Sequence, residues 1–213
     1  MNNAWIDQIV SNPDLMWMGH GQTVPDRNLG MGWLYYALAR MYRPCHVVCI
    51  GSWRGFAPMM FARGLLDNLN DGRVTFIDPS MADDQWSDPE SVTAWFQEYA
   101  VPNIDHYCMT TEQFVTSDAY QQMGQVDFVF VDGYHTEEHA RFDHEAFVPK
   151  LIKNGLVLFH DSVNQRVSKM YGEDKAYQYS VCRYIDQLKT RKDLQIVDFP
   201  LENGLTLVRH CDL

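Results

Sequence analysis

The fold is decided by the stretch Val47-Val48-Cys49-Ile50-Gly51-Ser52-Trp53-Arg54-Gly55. An apolar run with strand character ends at Gly51, and helix-like residues Phe56–Leu66 follow Gly55. Glycine adopts a positive φ at no steric cost and lets a ligand approach the backbone, so the two glycines predict a tight turn. The first amides of the following helix point toward the same turn. The stretch therefore predicts a ligand site where a buried strand of an α/β sheet meets a helix.

Strand-like and helix-like segments alternate along the rest of the chain. The predicted strands are His46–Ile50, Arg73–Ile77, Asn103–Tyr107, Val126–Val131, Leu156–His160, Leu194–Phe199 and Leu205–Arg209. The first five are separated by segments long enough for crossover helices, which predicts a parallel sheet. Only Pro200–Gly204 separates the last two, which predicts a hairpin and an antiparallel last strand. The expected fold is α/β and Rossmann-like, with a mostly parallel seven-stranded sheet and helices on both faces.

The length of the chain predicts a single domain over residues 1–213. Residues 1–44 are expected to form an N-terminal helical extension. Residues 163–176 are predicted to be a lid loop, because ligands bind at the carboxyl ends of parallel strands. A helix is predicted over Thr136–Lys153, with His139 and Asp143 paired on its surface.

Composition narrows the range of partners. The net charge is −11 and the sequence contains no run of Lys and Arg, whereas nucleic-acid binding depends on a basic face. A small-molecule acceptor is therefore expected and a nucleic acid is not. No apolar run approaches the roughly 18 residues of a membrane helix, and the N-terminal residues lack a signal-peptide pattern. These features predict a cytoplasmic protein without a membrane partner.

The turn favours an adenosyl cofactor over a dinucleotide. A dinucleotide fingerprint, G-x-G-x-x-G, requires glycine where this chain has Trp53. S-adenosylmethionine has no pyrophosphate, so a G-x-x-x-G turn suffices for it. Asp78 ends the second predicted strand, where its carboxylate can accept the hydrogen bonds of ribose hydroxyls. The predicted cofactor contacts are Gly51, Ser52, Trp53, Gly55 and Asp78.

Acidic residues and histidines follow the fourth and fifth predicted strands. Asp132 and His135 follow one strand, and His160 and Asp161 end the other. If these strands are neighbours, their tips lie about 4.8 Å apart. Two buried carboxylates that close need a proton or a divalent cation between them, which predicts a metal site. The alternative is structural, with Asp161 capping a helix and the histidines hydrogen-bonded.

The same region is similar to a known family. Asp132-Gly-Tyr-His135, then Asp143, then Gly155–Asp161 resembles the D-G-x-H … D … H-D pattern of certain class I S-adenosylmethionine-dependent methyltransferases. These are related to catechol-type and macrolide-sugar O-methyltransferases. The resemblance implies the strand order 3-2-1-4-5-7-6 and an O-methyltransferase that acts on a small molecule with S-adenosylmethionine.

The resemblance also implies roles for individual residues. It assigns metal binding to Asp132, His160 and Asp161, and the general base to His135, with Asp132 also at the cofactor. Thr111 and Glu112 map onto positions that contact adenine. Cys49 stands where the family often has an acidic residue, so one cofactor contact is missing. Mg²⁺ and Mn²⁺ are the expected metals, and a histidine ligand suits Mn²⁺ better.

Two other functions stay open at this point. A metal-dependent, hydroxylase-like enzyme on the same scaffold would use the His/Asp cluster to hold iron. A non-catalytic adenosyl-binding protein would use only the turn. Tyr134, Tyr171, Tyr177 and Tyr179 are predicted either to line the acceptor pocket or to pack in the core or in a homodimer.

Overall fold

The computed structural model of this chain describes residues 1–17, 19–169 and 171–211. It falls into two compact units, residues 1–108 and 109–213, which are described in turn. The predicted single domain over residues 1–213 stays a prediction. One residue of the predicted lid loop, Met170, lies outside the described residues, as do Met18, Asp212 and Leu213.

A seven-stranded sheet organises the fold. The strands along the chain are β1 (His46–Ile50), β2 (Arg73–Ile77), β3 (Ile104–Tyr107), β4 (Val126–Val131), β5 (Leu151–His160), β6 (Val167–Ser168), β7 (Tyr177–Gln178), β8 (Leu194–Phe199) and β9 (Leu205–His210). Strands β6 and β7 form a separate two-stranded ribbon, and the sheet order is β3-β2-β1-β4-β5-β9-β8. Numbered without the ribbon, this is the predicted order 3-2-1-4-5-7-6, so the fold prediction is confirmed.

Helices precede the first strand and lie in several of the connections between strands. They are α1 (Asn3–Ser11), α2 (Pro13–Met16), α3 (Gly32–Tyr42), α4 (Phe56–Asn68), α5 (Pro89–Glu98), α6 (Thr111–Phe114), α7 (Asp118–Gln122), α8 (Glu137–Phe147) and α9 (Val181–Leu188). Helices α1, α2 and α3 lie within residues 1–44, and the N-terminal extension itself stays a prediction. Among the described residues, no helix combines the length and the apolar character needed to cross a membrane.

In residues 1–108, strands β1, β2 and β3 pair in parallel. Every residue of β1 is buried, as expected for an apolar strand covered on both faces. Aromatic side chains pack helix α5 onto β2, because Phe76 meets Trp86 edge-on at 5.2 Å and Trp86 stacks on Phe96 at 5.6 Å. These contacts position the carboxyl ends of β1 and β2, where the predicted cofactor residues lie.

In residues 109–213, β4 and β5 pair in parallel and β9 pairs antiparallel with both β5 and β8. The predicted hairpin is therefore confirmed. Its turn packs beneath the segment that follows β5, since the amide of Val163 donates to the carbonyl of Asn203 at 3.1 Å. The hairpin thus supports the residues that follow the predicted metal ligands.

The predicted helix over Thr136–Lys153 is wrong at its C-terminal end. Helix α8 ends at Phe147, a single 3-10 turn covers Val148–Lys150, and β5 begins at Leu151. Pro149 lacks the amide that would continue the helical hydrogen bonds. Asn154 has a φ of 63°, so the first half of β5 is irregular. The residues of this half also show no clear strand pattern in the sequence.

The segment after β5 is more regular than the predicted lid loop. Its described residues include β6 and β7, which pair antiparallel through Val167 with Gln178 and Ser168 with Tyr177. A 3-10 turn at Glu173–Lys175 lies between the two short strands. The ribbon brings the two ends of this segment together, and the lid itself stays a prediction.

We expect Gly204→Ala to lower the free energy of unfolding by about 2 kcal/mol or more. Gly204 has a φ of 95°, and a Cβ atom there would lie 2.2 Å from Cγ2 of Val163. The substitution therefore adds both backbone strain and a clash. Urea unfolding followed by circular dichroism measures the loss. Gly124→Ala is the control, because a Cβ atom there meets nothing within 4 Å. Equal losses in the two variants would contradict the argument.

Candidate active site

The glycine turn after β1 has the predicted backbone conformation. Gly51 and Gly55 have φ values of 71° and 76°. The amide of Gly51 donates to the carbonyl of Ile77 at 2.8 Å, and that of Gly55 donates to the carbonyl of Ser52 at 2.5 Å. Trp53 also has a positive φ, of 28°, which is uncommon for a bulky residue. The turn is therefore tight and is anchored to the end of β2.

Gly55 is also required by packing within the same unit. A Cβ atom at this position would lie 3.1 Å from both Phe96 and Trp86. The groups that approach Gly55 closely are therefore the side chains of Phe96 and Trp86 in the core. A residue with a Cβ atom at this position would therefore disturb the packing of these rings.

Asp78 braces the turn from the tip of β2. Its Oδ2 accepts a hydrogen bond from the amide of Ser52 at 3.2 Å, and its Oδ1 accepts one from the amide of Ser80 at 2.8 Å. The carboxylate is buried. Since each carboxylate oxygen accepts more than one hydrogen bond, this brace is compatible with the predicted contact to ribose hydroxyls.

Neighbouring side chains fix the rest of the turn. The hydroxyl of Ser52 accepts from the amide of Ala57 at 3.3 Å and so satisfies a donor at the start of α4. The indole of Trp53 donates to Asp83 at 3.2 Å, and it remains 40% exposed. Cys49 is fully buried in β1. A carboxylate in place of Cys49 would need a partner in the protein or a ligand.

The acidic and histidine residues after β4 and β5 come together in residues 109–213. Oδ1 of Asp132 lies 3.1 Å from Nε2 of His135 and 2.8 Å from Nδ1 of His160. His160 and Asp161 are both buried. Burial alone would lower the pKa of His160, but the carboxylates of Asp132 and Asp161 raise it above its ordinary value.

Asp161 is held in an unusual conformation at the end of β5. Its φ is 50°, in the left-handed region, and its Oδ2 lies 2.7 Å from Nη2 of Arg166. Burial alone would raise the pKa of Asp161, but the charges of His160, His135 and Arg166 lower it below its ordinary value. The carboxylate is therefore ionised, and cations of the protein compensate it.

Arg166 and Tyr179 contact the cluster, and their contacts were not predicted. The ring of Tyr179 stacks on His135 with centroids 4.3 Å apart and planes 8° apart. The guanidinium of Arg166 lies 4.5 Å from the centre of the Tyr179 ring. Tyr179 was predicted only as a pocket or core residue. A single arginine in a polar segment has no periodic signal, so the sequence offered no means of identifying Arg166.

Three of the predicted pocket tyrosines stack on one another. Tyr134 and Tyr177 lie 4.2 Å apart and almost parallel, and Tyr171 stacks 6.0 Å from Tyr134. The strands of the β6–β7 ribbon thus carry aromatic rings to the residues that follow β4. Together these rings form an aromatic surface beside His135.

Three donors of the cluster lie close enough together to hold a divalent cation. Ligand atoms of His135, His160 and Asp161 all lie within 4.8 Å of one another. Oδ1 of Asp161 is buried and has no hydrogen-bond partner among the described residues. Two imidazoles and a carboxylate suit Mn²⁺, Fe²⁺ or Zn²⁺ better than Mg²⁺. These residues therefore fit a cation. The predicted set of Asp132, His160 and Asp161 shares two of the three.

The predicted surface pair of His139 and Asp143 is wrong. Asp143 is only 6% exposed, because it lies on the inner face of α8 with Ala140 and Phe147. Its carboxylate accepts a hydrogen bond from the hydroxyl of Thr111. Thr111 is buried, whereas Glu112 beside it is exposed. The predicted adenine contacts of Thr111 and Glu112 stay predictions.

The central part of the chain matches a known protein family. Residues 48–162, more than half of the sequence, match the model of a family described as a methyltransferase domain. The matched region begins in β1 and ends just after Asp161. It therefore includes the glycine turn, Asp78 and the residues after β4 and β5.

Solved structures and one curated sequence are similar to the chain. The O-methyltransferase TomG of Streptomyces achromogenes, solved with S-adenosylmethionine, has a TM-score of 0.66 at 16% identity, over 99% of this chain and 91% of that one. An O-methyltransferase of Bacillus cereus, solved with S-adenosylhomocysteine, has a TM-score of 0.68 at 11% identity, over 99% and 92%. These likenesses concern the fold. An uncharacterized protein of Sinorhizobium fredii, y4gI, is 25% identical over 92% of this chain, which spans 19% of the length of that protein.

The stability of the protein should depend on Asp143 between pH 4 and 7. Burial raises the pKa of Asp143 to about 7, against an ordinary value of 3.8. In this range the folded protein binds a proton that the unfolded chain has lost, so stability falls as the pH rises and levels off above pH 7. The fall due to this group is about 4 kcal/mol at most.

Asp143→Asn removes this contribution, and the free energy of unfolding of the variant should fall less steeply from pH 4 to 7. Urea unfolding at several pH values measures the slope. Glu145→Gln, an exposed change two residues away on α8, is the control and should keep the slope of the original protein. If Asp143→Asn also keeps that slope, Asp143 is not protonated in the folded state.

Proposed function

This chain belongs to a family of methyltransferase domains, and from that premise we propose that it transfers a methyl group from S-adenosylmethionine to an oxygen atom of a small molecule. The observation that carries the proposal is His135, whose imidazole is held by Asp132 at 3.1 Å. Methylation of a hydroxyl requires a proton acceptor, and histidine serves that role near neutral pH. The solved neighbours that contain S-adenosylmethionine or S-adenosylhomocysteine support the choice of cofactor.

The proposed cofactor site uses the turn of residues 51–55 and the carboxylate of Asp78. When bound, S-adenosylmethionine would supply the methyl group, which passes to the acceptor oxygen as S-adenosylhomocysteine leaves. Asp78 would accept the ribose hydroxyls while keeping the Ser52 amide in place. Thr111, Glu112 and Asp132 are retained as proposed contacts on the strength of the family resemblance.

His135 is proposed as the general base. Its Nε2–H donates to Oδ1 of Asp132, which leaves the lone pair on Nδ1 to accept the proton of the acceptor hydroxyl. Asp132 then stabilises the imidazolium that forms. Stacking on Tyr179 keeps the ring in one orientation. Asp132 and Tyr179 thus position the base before the reaction begins.

A divalent cation is proposed to assist, held by His160 and Asp161 with Asp132 as the third ligand. It would bind the acceptor oxygens and lower the pKa of the hydroxyl. His135 is kept out of this set because its Nε2 faces Asp132, and that atom cannot donate a proton to Asp132 and bind a metal at the same time. Mn²⁺ is preferred to Mg²⁺ because His160 offers nitrogen.

A second candidate function is supported by the ligand geometry alone. His135, His160 and Asp161 are two histidines and one carboxylate within 4.8 Å, the donor set of many non-haem iron oxygenases. A hydroxylase-like enzyme would require His135 as an iron ligand. A His135 variant separates the two candidates, because its metal affinity should fall in the hydroxylase-like enzyme and stay unchanged in the methyltransferase.

The partners of the chain follow from its charge. A net charge of −11 supports a small-molecule acceptor and disfavours a nucleic acid. The aromatic surface of Tyr134 and Tyr177 supports a planar or sugar-like acceptor. A cytoplasmic location and a homodimer stay predictions.

Calorimetric titration with S-adenosylmethionine and S-adenosylhomocysteine tests the cofactor. We expect both to bind and NAD not to bind. Asp78→Asn should weaken binding roughly 10- to 100-fold, because charge-assisted hydrogen bonds to ribose are lost. Asp105→Asn, an exposed change on the neighbouring strand, is the control and should bind as before. If neither adenosyl compound binds, the proposed function is wrong.

His135→Gln should lower turnover by about 100-fold or more, because a positioned base is lost, while the affinity for S-adenosylmethionine stays unchanged. Transfer of a labelled methyl group to a panel of phenol and sugar acceptors measures turnover. His139→Gln, four residues away and exposed, is the control. A loss of Mn²⁺ or Fe²⁺ affinity in His135→Gln would instead identify His135 as a ligand and favour the second candidate.

A further inference from the structure

The contact between Arg166 and Asp161 occupies Oδ2 of the carboxylate that a metal ion would use, beside the unpartnered Oδ1. Nη2 of Arg166 lies 2.7 Å from Oδ2 of Asp161, and this side chain of Asp161 is only 2% exposed. A charge-assisted hydrogen bond of this length compensates a buried carboxylate well. A divalent cation on the same carboxylate would stand beside the guanidinium, and the two positive charges would repel each other.

The guanidinium is able to leave. The side chain of Arg166 is 45% exposed, so it reaches the buried carboxylate from the solvent side. By contrast, the backbone of Arg166 is tied to the ribbon, because the amide of Tyr179 donates to the Arg166 carbonyl at 2.7 Å.

The ribbon also contacts the predicted base. Tyr179 lies between the guanidinium of Arg166, at 4.5 Å, and the imidazole of His135, at 4.3 Å. The amide of Ser180 donates to the carbonyl of His135 at 2.9 Å. The positions of Arg166, Tyr179 and His135 are therefore coupled through direct contacts.

We propose that Arg166 is the resident counter-cation of Asp161, and that a divalent cation binds at His160 and Asp161 only by displacing the Arg166 guanidinium. Metal binding and the contact between Arg166 and Asp161 are then thermodynamically linked. A change that weakens this contact strengthens metal binding, and metal binding weakens the contact in turn. Arg166 is a positioning residue in this scheme. The inference rests on the metal site of the proposed function and not on the methyl transfer itself.

Mn²⁺ titration, followed by electron paramagnetic resonance, tests the proposal on the full chain. We expect Arg166→Gln to bind Mn²⁺ roughly 10- to 100-fold more tightly than the original protein, because no charge-assisted hydrogen bond has to be broken. Arg166→Met, which keeps an unbranched stem against Tyr179, should behave in the same way if Arg166→Gln fails to fold. Adding Asp161→Asn to either variant should abolish the gain.

Lys169→Gln is the matched control, since it removes one positive charge from the same segment. Lys169 is exposed and pairs with Glu173 at 2.7 Å. We expect its Mn²⁺ affinity to equal that of the original protein, whereas an equal gain in both variants would show a general charge effect and overturn the proposal. Unchanged affinity in the Arg166 variants would overturn it too, as would an absence of Mn²⁺ binding in all of them.

Hydrogen exchange supplies a second readout. In the original protein, saturating Mn²⁺ should speed exchange of the Tyr179 amide, because that amide donates to the Arg166 carbonyl and loses protection once the Arg166 side chain no longer anchors this residue to Asp161. The Arg166→Gln variant should show fast exchange with or without Mn²⁺. Slowed or unchanged exchange in the original protein on saturation with Mn²⁺ would overturn the proposal. Titration with S-adenosylmethionine in metal-free buffer, on the same samples, tests the proposed function separately.

Discussion

Two carboxylates at the ends of neighbouring parallel strands, Asp161 buried and Asp132 half-buried, dominate the chemistry of this protein. Asp132 and Asp161 follow β4 and β5, and neither can stay ionised in a buried place without positive charge beside it. The cationic side chains beside them are His160 on Asp132 and Arg166 on Asp161, and His135 donates a hydrogen bond to Asp132. The surrounding structure is arranged to deliver these cations.

That requirement explains features of residues 109–213 that otherwise look unrelated. The hairpin of β8 and β9 holds the segment after β5 through the bond between Val163 and Asn203. The β6–β7 ribbon then places Arg166 and Tyr179 at the cluster. The left-handed backbone of Asp161 turns its carboxylate toward them. Ordering the hairpin, the ribbon and the Asp161 backbone costs conformational entropy, and the compensation of charge at the cluster offsets that cost.

Residues 1–108 use a carboxylate in a different way. Asp78 receives two backbone amides, from Ser52 and Ser80. Each carboxylate oxygen accepts more than one hydrogen bond, so this carboxylate can also accept from a ligand donor such as a hydroxyl. The two uses of acidic residues correspond to the two proposed tasks, holding a cofactor in one unit and managing a proton and a cation in the other.

The sequence by itself determined the sheet, the glycine turn and the four residues Asp132, His135, His160 and Asp161. Apolar periodicity and the positions of glycine are local properties, and residues at strand ends gather wherever the strands do. The helix predicted over Thr136–Lys153 was too long, because Pro149 and the irregular start of β5 interrupt a pattern that looked continuous in the sequence. Only the tertiary structure decided that Asp143 is buried against Thr111, and that Arg166 and Tyr179 reach the cluster. These contacts join residues distant along the chain, and their energy comes from burial and charge compensation that exist only in the folded state.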